Sequence, residues 1–87
     1  MSVNPLKYSA LNVSAATTEL VKGVFVLFPQ AQIVSRVAPL EDEDISMEVR
    51  LPLSMHDIYV ARERLHELVI RLQEQYDVLI LASAVPA

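Results

Sequence analysis

ISMEVRLPLSMHDIYVARERLHELVIRLQEQYDVLILASAV, residues 45–85, reads as strand, helix and strand in direct succession. Ile45, Met47, Val49 and Leu51 alternate with Ser46, Glu48 and Arg50, the period-2 pattern of a strand with one face on a core and one in water. Pro52 cuts that strand off. Ser54, with Asp57 three residues on in the capping-box arrangement, then starts a helix. Ile58, Ala61, Leu65, Leu68, Val69, Leu72 and Tyr76 recur at three- and four-residue spacing as its buried stripe, and Arg62, Glu63, Glu67, Arg71 and Glu74 hold the other side. Val78 to Val85 follows as an almost unbroken apolar run.

Toward the N-terminus, residues 1–5 read as a lead-in ending at Pro5, and Leu6 to Val13 reads as a strand carrying Tyr8, Ala10, Leu11 and Val13. Ser14 offers an N-cap hydroxyl, with Thr17 as a second candidate. Leu20, Val21, Val24, Leu27 and Phe28 group on one helical face and Pro29 limits the run, which gives a helix over 15–28. A strand competes for residues 24–28, because Gly23 costs roughly 1 kcal/mol in a helix interior and Val24-Phe25-Val26-Leu27-Phe28 is rich in strand-favouring types. Gln32 to Ala38 reads as the next strand, ended by Pro39. Residues 39–44 connect it to the strand at 45–51, with Glu41-Asp42-Glu43-Asp44 as a solvated acidic hairpin tip contributing little to folding.

The resulting order, βαββαβ, resembles the ferredoxin-like split pattern. The resemblance implies an α+β sandwich: a four-stranded antiparallel sheet with two helices on one face, the first and third strands central and the second and fourth at the edges. It is a likeness of fold alone. No family motif is matched residue by residue, and no activity follows from it.

Eighty-seven residues make a single domain over 1–87, near the lower limit for an independent core. A chain this short buries only about 60–65% of its unfolded surface, so a partner subunit is a natural supplement. Cysteine is absent, which removes disulfides, thiolate metal sites and cysteine nucleophiles. Met-Ser-Val-Asn-Pro lacks the basic and apolar regions of a signal peptide, and the longest apolar run is too short for a bilayer. A soluble cytoplasmic protein without a membrane partner is expected. The net charge is −4, and the run 41–44 supplies four of the eleven acids, leaving seven that balance the seven Lys and Arg residues. A neutral body with no basic stripe lacks the electrostatic footprint of nucleic-acid binding.

No constellation demands a particular chemistry. The acidic run lacks the alternate ligand positions, turn glycine and distant Glu of a calcium loop. His56 and His66 are ten residues apart, about 15 Å along a helix, too far to share an ion. One glycine cannot build a phosphate-cradling loop, and no serine stands in a nucleophile elbow. An RNA-binding version of the fold needs aromatics on the central strands, where only Tyr8 is available. No catalytic, cofactor-binding or metal residue is assigned. General acid–base work by His56 or His66 stays open but has no nucleophile, pocket or orienting partner in the sequence, and a composite site across a dimer could recruit Arg50, His56 and Asp57.

The informative anomaly is the last strand, apolar on both faces where one should be wet. An uncovered apolar edge strand is a hazard that native proteins hide by pairing. The expected function is therefore a non-enzymatic interaction or regulatory module that forms a homodimer through its sheet face or last strand, with Val78, Leu79, Ile80 and Leu81 as interface residues. The alternative is a small-metabolite-sensing domain with its ligand at a subunit boundary. Glu41, Asp42, Glu43 and Asp44 are the candidate handle for a basic protein partner.

Overall fold

The computed structural model describes residues 5–35 and 43–87, with side chains from Ala10 onward in the first segment. Its elements are α1 (Pro5–Leu27), β1 (Gln32–Ser35), β2 (Ile45–Leu51), α2 (Met55–Tyr76) and β3 (Ile80–Pro86). Among the described residues the sheet has three strands in the order β1-β2-β3. β1 runs antiparallel to β2 with Val34 opposite Glu48, and β3 runs parallel to β2 from Ile45 opposite Ile80 to Leu51 opposite Pro86. The α+β class holds, but the four-stranded antiparallel ferredoxin-like sandwich does not: the described residues form a mixed αββαβ arrangement.

The correction comes from the first element. Residues 6–13 are not a strand but the opening turns of α1. Pro5 suits the start of a helix, where its missing N–H would have had no partner. Val13, Ala16, Leu20, Val24 and Leu27 then continue one stripe at three- and four-residue spacing, packed into or against the core. Ser14 and Thr17 are interior residues rather than caps. Thr17 Oγ1 donates to the Val13 carbonyl at 2.7 Å and Thr18 Oγ1 to that of Ser14 at 3.1 Å, so the hydroxyls are satisfied within the helix. With residues 6–13 in α1 rather than in a strand, the last strand lies directly beside β2, and the α2 crossover makes that pairing parallel.

The strand alternative for 24–28 also falls, because α1 stays helical to Leu27. Gly23, the residue that counted against a helix, marks the approach of the two helices: a Cβ there would lie 2.7 Å from Leu68 Cδ2. Phe28 N–H still donates to the Val24 carbonyl at 2.7 Å before the chain turns at Pro29 and Gln30 into β1. As one helix, α1 contains a window, Ala10–Leu27, long and apolar enough to cross a membrane, with mean hydropathy 1.3. The length argument against a span therefore does not apply to it. Here its stripe is docked, with Ala16, Leu20 and Val24 fully buried.

Ile45, Met47, Val49 and Leu51 turn toward the helices and join them in one core. The predicted α2 stripe is the observed one, with Ile58, Ala61, Leu65, Leu68, Val69 and Leu72 buried and Tyr76 packed at its margin. Ser54 caps the helix, its Oγ accepting from Asp57 N at 3.3 Å. At the other end Asn12 Nδ2 of α1 donates to the Tyr76 carbonyl at 2.9 Å, and Asp77 takes a left-handed conformation with φ 52°.

Part of the acidic run belongs to the sheet. Glu43 is buried, Asp44 Oδ2 accepts from Leu79 N–H at 2.8 Å, and the N–H groups of Asp44 and Ile45 both donate to the Leu79 carbonyl. These two residues tie the start of β2 to the approach of β3. A freely solvated tip far from the 78–85 edge does not describe them, and Glu41 and Asp42 lie outside the described residues.

Candidate functional site

Among the described residues β3 is an edge strand, and its alternation sets what it presents. Odd residues point their backbone at β2, since Leu79 O accepts from Ile45 N and Ala87 N donates to Leu51 O. Ile80, Ala82 and Ala84 consequently direct N–H and C=O outward, away from the sheet. α2 lies along this edge, and its flank reaches two of those groups. Gln73 Oε1 accepts from Ile80 N–H at 2.8 Å, and Arg62 Nε donates to the Ala84 carbonyl at 3.0 Å. Arg62 is steadied by the Tyr59 ring, whose centroid lies 5.5 Å from the guanidinium carbon. Between the two bonds, β3 and α2 enclose an open groove of about 840 Å³, lined on the helix side by Arg62, His66, Val69 and Gln73.

The groove has room because Ala82 and Ala84 are small and fall on the helix-facing side of β3, in line with Met47 and Val49. The sheet's other face differs. It carries Ser46, Glu48, Arg50, Ser83 and Gln32 with Val34, Leu81 and Val85 among them, and Arg50 Nε donates to Glu48 Oε2 at 2.7 Å. That face is mainly polar. Of the four expected interface residues, Val78 and Ile80 are buried in the core, whereas Leu79 is half exposed and Leu81 partly so. The two-sided apolar run is thereby divided: one set holds the fold and the other faces outward.

The composite site is not assembled within the chain. Arg50 is on the sheet face opposite the helices, His56 is exposed on the first turn of α2, and Asp57 is engaged with Ser54. His66 faces the β3 groove, well away from His56. Among the described residues no three His, Asp or Glu side chains gather as metal ligands. A second groove of about 550 Å³ runs between the helices beside Gly23, bordered by Lys22, Arg64 and Arg71 and by Glu19 and Glu67. Its charges are mixed and exposed, and it selects no ligand.

Arg62 and Gln73 are the residues at this edge that sequence reasoning passed over. Arg62 falls among the solvated positions of α2, and a lone glutamine at a stripe margin has no signature. Only the position of β3 beside α2 gives either a role. No family model, curated protein or solved structure matches the chain.

Proposed function

We propose that this protein is a small non-enzymatic interaction module, soluble and cytoplasmic, that self-associates through its last strand. The observation that carries the reading is the β3 edge, which among the described residues pairs with no further strand: seven residues long, bordered by a groove, met only by the side chains of Gln73 and Arg62, with Leu79 half exposed just before its start. An accessible edge with outward N–H and C=O groups is a template for strand addition. The polar character of the opposite sheet face favours the edge over that face as the contact. The grooves are open, and Arg62 and Gln73 in the β3 groove already bond to the strand, which favours the interaction reading over the metabolite-sensing alternative.

Sedimentation equilibrium from micromolar to millimolar concentration tests the reading. A concentration-dependent dimer is expected, weakened by Leu79→Asp, which places a charge on a side chain the fold leaves half exposed. A strict monomer throughout that range would sink it.

A further inference from the structure

We infer that Arg62 and Gln73 hold the β3 edge closed in the single chain, and that on release the edge pairs antiparallel with β3 of a second copy about a two-fold axis at Ala82. The inference rests on the self-association reading and assigns its register and its gate.

In an antiparallel pair, residues opposite each other at a hydrogen-bonded site exchange both N–H···O bonds. With Ala82 opposite Ala82, Ile80 of one copy stands opposite Ala84 of the other. The donor occupied by Gln73 and the acceptor occupied by Arg62 are therefore each other's partners in the pair. The two side chains stand in for the absent strand at the positions where it would bond. Moving the axis to Ala84 would bring Pro86, which has no N–H, opposite Ala82, and moving it to Ile80 would pair Val78, which precedes the strand. The Ala82 axis alone uses the three outward residues symmetrically.

Packing agrees with this register. Ala82 and Ala84 leave the incoming backbone room beneath α2, where the groove lies. On the other face Leu79 meets Val85 of the second copy, covering an exposed leucine with an apolar neighbour. Pairing returns the two bonds given up by Gln73 and Arg62 and adds the Ala82 exchange at the axis. The dimer constant is thus set by a competition between side-chain and main-chain partners for the same groups.

The test uses the full chain in sedimentation equilibrium, with urea unfolding to confirm that each variant is folded. Gln73→Ala removes the competing acceptor in both copies and should tighten the dimer about ten- to thirty-fold. Gln73→Glu keeps an acceptor, strengthens it by charge and should weaken the dimer by a similar factor. Ala82→Pro deletes an outward N–H that the β2–β3 ladder does not use and should abolish pairing. Since the chain has no cysteine, Ala82→Cys gives a register test independent of that proline: Cα atoms about 5.5 Å apart across the axis suit a disulfide, whereas Ser83→Cys, opposite Leu81, should not crosslink. A dimer that crosslinks through residue 82 but ignores both Gln73 variants overturns the gate alone. A chain monomeric in every variant, or a dimer indifferent to Ala82→Pro that fails to crosslink through Ala82→Cys, overturns the edge pairing itself.

Discussion

α2 buries six residues along its stripe and is capped at both ends, by Ser54 at its start and by Asn12 on the Tyr76 carbonyl. α1, one residue longer, fully buries Ala16, Leu20 and Val24 while leaving Leu11 64% and Val26 80% exposed. The contrast shows two ways of placing a helix. α2 is fixed by a wide stripe against α1 and β3, and its flank also supplies the side chains that close the β3 edge. Among its described side chains α1 fully buries only Ala16, Leu20 and Val24, so its position depends on how closely it approaches α2.

If that contrast is right, truncating the centre of each stripe should separate the helices. Leu65→Ala, at a site 2% exposed in the middle of α2, is expected to cost about 3–4 kcal/mol of unfolding free energy. Leu20→Ala should cost about 2–3 kcal/mol, because the less embedded α1 is freer to settle into the space. Urea denaturation measures both, and equal losses would show that α1 is as firmly seated as α2.

The helix approach gives the next effect. Gly23→Val forces a branched side chain onto Leu68, which is 5% exposed, and should cost about 1–3 kcal/mol. Gly23→Ala gains about 1 kcal/mol of helix propensity but sets its Cβ within 2.7 Å of a Leu68 methyl, so the two terms nearly cancel. A clear rise in melting temperature for Gly23→Ala would mean that Leu68 moves aside freely and that the contact does not position α1. A smaller loss belongs to the α2 cap: Ser54→Ala removes the acceptor for Asp57 N and should cost about 1 kcal/mol by the same denaturation.

How legible each helix is in the sequence follows from the same physics. α2 announces itself because a seven-residue stripe, a capping residue and a preceding proline agree, and β2 because its alternation is strict. α1 is obscured by residues with two readings. Ser14 and Thr17 resemble caps until their hydroxyls are seen bonding within the helix or lying on its surface, and Gly23 resembles a breaker until Leu68 is found against it. Taking residues 6–13 as a strand then propagated into the sheet, since a fourth strand would have taken the place beside the last one. The candidate edge was legible as an apolar run, Val78 to Leu81, but not its partition into core and surface, which depends on the parallel register with β2. Arg62 and Gln73 could not be read at all, because their roles come from backbone groups of a strand distant in sequence from Arg62 and adjacent only in space.

The smallest effect is expected where the better-fixed helix carries an unfavourable residue. Asp77 ends α2 with φ 52° and ψ 50°, a left-handed conformation that strains most residues with a Cβ and that glycine adopts freely. Its carboxylate also lies at the negative end of the helix dipole, and no side-chain partner for it is present among the described residues. Asp77→Asn removes the charge while keeping a side chain that tolerates the conformation, and should raise stability by a few tenths of a kcal/mol at low salt. Asp77→Gly relieves charge and backbone together and should raise it by about 0.5–1 kcal/mol. Added salt should shrink the Asn gain and leave most of the Gly gain, because screening acts on the carboxylate and not on φ. Destabilisation by glycine would mean that the aspartate side chain holds this turn, and the end of α2 would then be fixed by a contact rather than by the Asn12 cap and the chain's own geometry.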